Sequence, residues 1–196
     1  MNMKLPRTST AGIVLLALLQ SSCGGSNGSS DNISGAPNIF TPTVTIDTNG
    51  FNVASIPFSA SSTGVLKWKI TGTDISFQIS CTTTGWVGMG INPSGSMTGA
   101  DIVMGYVTTG ATVEDMHATG FFAPTTDITN HLSGVSGTEI AGTTELVFTR
   151  ALDTADSQDK VLVAGQDTIM LFACGPGGAD NFMTQHQHKA ALKINL

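Results

Sequence analysis

Thioether and imidazole side chains are the residues of this 196-residue chain best suited to hold a redox metal, and eight methionines and four histidines supply them. Met97 stands apart from the other methionines. It lies just past the reverse-turn signal Asn92-Pro93-Ser94-Gly95, among Ser96, Thr98 and Gly99, where no packing role is evident. Met89, Met104 and Met170 fall in apolar runs and read as core, and Met116 and Met183 are spare. His186 and His188 stand two apart near the C-terminus. His117 reads as structural and His131 as a solvent-facing loop residue. Thioether with imidazole suits an axial pair on haem iron, and it also suits copper. Cys-x-x-Cys-His does not occur, so any haem would be held noncovalently. Cys174, Met183 and His186 have the wrong order and spacing for a blue-copper centre, which leaves a type-2-like site on Met183, His186 and His188 open. Zinc-protease and phosphate-loop motifs are absent, and the aspartates are scattered in turns, so no hydrolytic centre emerges.

The elements that must position these residues read as strands. Ile75, Phe77, Ile79 and Cys81 alternate with Ser76, Gln78 and Ser80, a period of two with one buried face. Val65–Thr71, Ile102–Val107, Ala111–His117, Thr144–Thr149, Thr168–Cys174 and Ala190–Leu196 add further strands. Residues 85–91 mix apolar groups with glycines that admit a ligand or another backbone closely. Residues 38–60 hold short β-prone pieces suited to an edge, residues 120–144 read mostly as loop, and the acidic Asp153–Asp159 reads as solvated. Many short strands with frequent turn signals and no convincing helix predict an all-β antiparallel sandwich. Cys81 and Cys174 each fall near a strand end. They are read either as a disulfide or as two buried thiols.

The stretch Gly85-Trp86-Val87-Gly88-Met89-Gly90-Ile91-Asn92-Pro93-Ser94-Gly95-Ser96-Met97-Thr98-Gly99-Ala100-Asp101-Ile102-Val103 resembles the signature of the DOMON domain. It is most similar to the haem-binding cytochrome branch, which includes the cytochrome domain of cellobiose dehydrogenase and plant auxin-responsive b-type cytochromes. Ala118-Thr119-Gly120, Leu146–Arg150 with Leu152-Asp153-Thr154, and the closing His186–Leu196 follow in the same order. The resemblance spans roughly residues 50–196. It implies an immunoglobulin-like sandwich holding one noncovalent haem b, with Met97 as one axial ligand and a closing-strand histidine as the other. Counting back from Ile194-Asn195-Leu196 favours His186. His188, two residues on, points to the same side of a straight strand, so parity leaves it as the alternative. Lys189 stands where the family carries a basic residue able to meet a haem propionate. The implied role is single-electron transfer without substrate turnover, to a redox protein or a quinone-linked membrane complex.

Composition sets the remaining bounds. Only 11% of residues are charged and the net charge is −6, which argues against nucleic-acid binding. Residues 1–22, with Lys4, Arg7 and the apolar run Ala11–Leu19, read as an export signal, and their removal lowers the net charge to −8. Gln20-Ser21-Ser22-Cys23-Gly24 resembles a bacterial lipoprotein box with Cys23 as the lipidated first residue. The expected organisation is a signal over 1–22, a flexible Gly/Ser-rich linker over 23–40 and one domain over 41–196. The product would be an exported, membrane-anchored lipoprotein facing the periplasm or the cell surface. A second class of function, a carbohydrate-binding or adhesive sandwich without haem, would need exposed aromatic platforms. Trp68, Trp86 and Tyr106 are its few candidates beyond the phenylalanines.

Overall fold

The computed structural model describes residues 38–92, 94, 97–120 and 122–196. The expected signal, Cys23 and the linker up to residue 37 lie outside the described residues. Thirteen strands run along the described residues. They are β1 (Ile39–Phe40), β2 (Val44–Ile46), β3 (Asn52–Ser59), β4 (Ser62–Thr71) and β5 (Asp74–Cys81). Then come β6 (Val87–Ile91), β7 (Asp101–Val107), β8 (Ala111–His117) and β9 (Thr125–Thr126). β10 (Ser133–Ile140), β11 (Thr143–Ala151), β12 (Asp167–Cys174) and β13 (His188–Asn195) complete the set. No helix occurs among the described residues.

The strands form two sheets, ordered β1-β13-β12-β6-β7-β8-β9 and β10-β11-β5-β4-β3-β2. Every pairing is antiparallel except β1 with β13. The period-two pattern explains why the sheets stack. β4, β5, β11 and β12 each alternate buried with partly exposed residues, so each turns one apolar face to the other sheet. Trp68, Leu66, Phe77, Ile79, Phe148, Leu146, Met89 and Phe172 meet in that interior with at most 2% exposure. Phe77 and Phe148 are register partners with ring centroids 5.5 Å apart. Cys81 on β5 and Cys174 on β12 join the two sheets through an S–S bond of 2.03 Å. In the chain-entropy picture a cross-link over a loop of this length contributes about 4–5 kcal/mol.

Two expectations change here. Residues 133–140 form a full strand, β10, where a loop was expected; its side chains are almost all exposed, so backbone pairing with β11 holds it rather than an apolar face. The acidic Asp153–Asp159 segment is not wholly solvated, because Asp159 is buried. It turns inward to a polar end of the sandwich built around Arg150. The Arg150 guanidinium, itself buried, donates to the Asp101 carboxylate and, at 3.1 Å, to the Lys160 carbonyl. The Lys160 N–H donates back to Asp101 at 2.8 Å. This knot fixes the start of β7 against the loop that follows β11.

Candidate functional site

The site is built on the outer face of the seven-stranded sheet. Val87, Met89 and Ile91 of β6 point into the core, so Gly88 and Gly90 point outward. The register then places Ala173, Gly88 and Met104 in one row across β12, β6 and β7, and Leu171, Gly90 and Ile102 in the next. The result is a trough: a central strand without side chains, flanked by apolar ones. A Cβ at Gly88 would lie 2.8 Å from the Met104 Cγ, and one at Gly90 would lie 3.3 Å from Leu171. Any larger residue would fill the floor.

Two loops raise walls over this floor and border an open cavity of about 840 Å³. The first, between β6 and β7, brings Met97. Its backbone is fixed by Ala100 N–H to Met97 O at 3.0 Å and by Ser94 N–H and Oγ to Thr98 O at 2.8 Å. Gly99 adopts φ 73°, a left-handed conformation that lets the chain turn back into β7. The second loop, residues 175–187, brings Phe182, Met183 and His186. Trp86 clips it down, its indole N–H donating to Thr184 O at 3.0 Å and its backbone N–H to Ala179 O at 3.1 Å. Phe182 packs on Tyr106, with centroids 5.2 Å apart. Lys189 lies at the edge of the cavity, and Phe122 and Met183 stand exposed at its rim.

His186 and His188 are separated by the fold. The Gln187 N–H donates to Cys174 O at 2.8 Å, and the regular ladder of β13 begins only at His188. His186 therefore precedes the strand, and the parity argument that placed both imidazoles on one side does not apply. His186 lines the cavity. His188 pairs in register with Cys174 and stacks on Phe58 of the opposite sheet, centroids 5.1 Å apart and planes 16° from parallel. It faces the space between the sheets. The copper trio of Met183, His186 and His188 is thus not assembled at one place. Burial, and next the charge of Lys189, hold the His186 imidazole below its usual pKa. It is the neutral form, with a free lone pair, that binds a metal.

The other two histidines lie outside the cavity. His117 Nδ1 sits 2.5 Å from Asp127 Oδ1, in keeping with a structural role, and His131 is half-buried against Asp159 rather than solvent-facing. Sequence reasoning missed the trough walls; Met104, read as core, is buried, but in a second apolar cluster on the outer face rather than between the sheets. The signal was available: β7 and β12 are apolar on both faces, and a sandwich needs only one.

Comparison with known proteins places these features in a wider group. A family model described as "DOMON domain" matches residues 61–175. The Drosophila melanogaster protein MOXD1 homolog 2 is 35% identical over 108 residues, which cover 54% of this chain but only 14% of that protein. Two solved structures share the fold at 13% sequence identity. The cytochrome domain of Myriococcum thermophilum cellobiose dehydrogenase superposes with a TM-score of 0.59 over 80% of this chain and 88% of that one. The cytochrome b domain of pyranose dehydrogenase from Coprinopsis cinerea gives 0.56 over 79% and 87%.

Proposed function

Because the chain belongs to the DOMON domain family, we propose that its outer cavity binds one haem b noncovalently and that the protein carries single electrons. One observation carries this reading: a thioether, Met97, and an imidazole, His186, reach the same apolar, glycine-floored cavity from two different loops. The residues fit the group. A flat macrocycle needs a floor free of side chains, apolar walls and two axial donors, and Gly88, Gly90, Ile102, Met104, Leu171, Met97 and His186 provide them. When bound, haem supplies a one-electron iron couple whose potential a methionine ligand raises relative to two imidazoles.

The chain's own residues do the rest. Met97 and His186 would hold the haem iron from the two loops, and with both donors engaged the protein would act as a carrier without turnover of its own. Lys189, which lines the cavity, would meet a propionate. The apolar walls exclude water and so limit reorganisation when the charge changes. A sugar-binding alternative is not favoured, because Trp68 and Trp86 are buried and Tyr106 is half-buried, leaving no tryptophan or tyrosine platform exposed.

The partner is proposed to be a redox protein or a quinone-linked membrane complex. The chain is read as exported and anchored by lipid on Cys23; loss of membrane association in Cys23→Ala, with the domain still made, is the expected outcome. The haem reading is tested by titrating the mature protein with haemin and cycling it with dithionite and ferricyanide. One equivalent taken up, with fully reversible reduction, is expected. A folded protein that stays colourless sinks it.

A further inference from the structure

A second constellation lies at the polar end of the sandwich and takes no part in the haem reading. Asp115 is on β8, His131 in the loop between β9 and β10, and Asp159 in the loop between β11 and β12. One donor atom from each lies within 4.8 Å of the other two. The His131 backbone N–H donates to Asp115 Oδ2 at 2.8 Å, and the imidazole Nδ1 stands 3.3 Å from Asp159 Oδ2. Asp115 is 1% exposed and the Asp159 side chain 1%. Even so, Asp115 Oδ1, both Asp159 carboxylate oxygens and His131 Nδ1 have no hydrogen-bond partner among the described residues.

Carboxylates removed from water are paired, coordinate a metal or take up a proton. Here the buried Arg150 is engaged by Asp101 and makes a 3.5 Å ion pair with Asp159 Oδ2 but no hydrogen bond to it. We infer that Asp115, His131 and Asp159 form a site for a divalent cation of the zinc class, which ties the two loops to β8. The donor set selects the ion: carboxylates alone would suit calcium or magnesium, whereas an imidazole beside two carboxylates suits Zn²⁺, with Mn²⁺ a weaker competitor. At ligand distances of ~2.0–2.2 Å a tetrahedral ion holds its donors about 3.4 Å apart; His131 Nδ1 and Asp159 Oδ2 already stand at 3.3 Å, and donors as much as 4.8 Å apart need to draw in by about 1.4 Å. His131, whose side chain is 26% exposed, leaves a path for the ion from solvent. The competing arrangement is an ion-free one in which His131 Nδ1 is shared between Asp159 and Asp156, whose Oδ2 lies 3.9 Å from it.

The test is calorimetric titration of chelator-treated mature protein with Zn²⁺ and, separately, with Mn²⁺ and Ca²⁺. One Zn²⁺ per chain is expected, with a raised Tm. Binding should persist in the His186→Ala/His188→Ala double variant and weaken by at least about tenfold in Asp115→Asn and in His131→Ala. X-ray absorption of zinc-loaded wild-type protein, which needs no variant to fold, should show one nitrogen and otherwise oxygen donors. No stoichiometric Zn²⁺ on the folded wild type would overturn the site. So would two imidazoles in the absorption spectrum, binding that survives both ligand substitutions, or Ca²⁺ uptake that Zn²⁺ does not displace. Haem uptake is read independently and does not enter any of these outcomes.

Discussion

The two faces of β6 show how one strand can serve a core and a site at once. Inward, Val87, Met89 and Ile91 are at most 2% exposed and interlock with Phe172, Met170 and the far sheet. Outward, Gly88 and Gly90 present bare backbone between apolar flanks. The inner face is full, as close packing demands. The outer face keeps an apolar volume that the sandwich does not need for its own stability, and such surface on a folded protein marks a binding site. The fold is carried by one face and the chemistry by the other.

That contrast can be broken from either side. Gly88→Val or Gly90→Val should fill the trough and abolish haem uptake while the far-ultraviolet circular dichroism stays that of the parent; a variant that still takes up one equivalent would show that the floor is not used. Cutting the link between the sheets should do the reverse. Cys81→Ala with Cys174→Ala should lower stability by about 4–5 kcal/mol in urea unfolding and leave the spectrum of the loaded protein alone. Met89→Ala, on the inner face, should cost ~2–5 kcal/mol with the same spectral indifference. His188→Ala, losing its stack on Phe58, should cost about 1 kcal/mol and no haem. The smallest change is expected of Lys189→Gln. A partly solvated pair is worth ~0.2–1 kcal/mol, so haem release to an acceptor protein should quicken by no more than about fivefold.

Much of this was legible in the sequence because strands that alternate strictly declare their buried face. Ile75, Phe77, Ile79 and Cys81 on β5 do so, and Leu146 and Phe148 on β11 answer them. β10 was not legible, since Ser133-Gly134-Val135-Ser136-Gly137 buries no periodic apolar set and depends on its neighbour's backbone. For the site, Met97 and the terminal histidines could be singled out by their setting, and the glycines by their openness to close approach. The choice between His186 and His188 could not be made, because it turns on where the ladder of β13 begins, a matter of three-dimensional pairing with β12. Asp159 was equally opaque. An aspartate in a turn looks the same whether it faces water or, as here, Arg150 and His131.

The central claim is that Met97 and His186, and not His188, hold the cofactor. Visible absorption of the haem-loaded protein, oxidised and dithionite-reduced, tests it most directly in Met97→Ala, His186→Ala and His188→Ala. Sharp reduced α and β bands should appear in the parent and in His188→Ala, and collapse in the other two. Bands that persist in His186→Ala, or that are lost only in His188→Ala, would contradict the account and move the second ligand to the other side of the sheet.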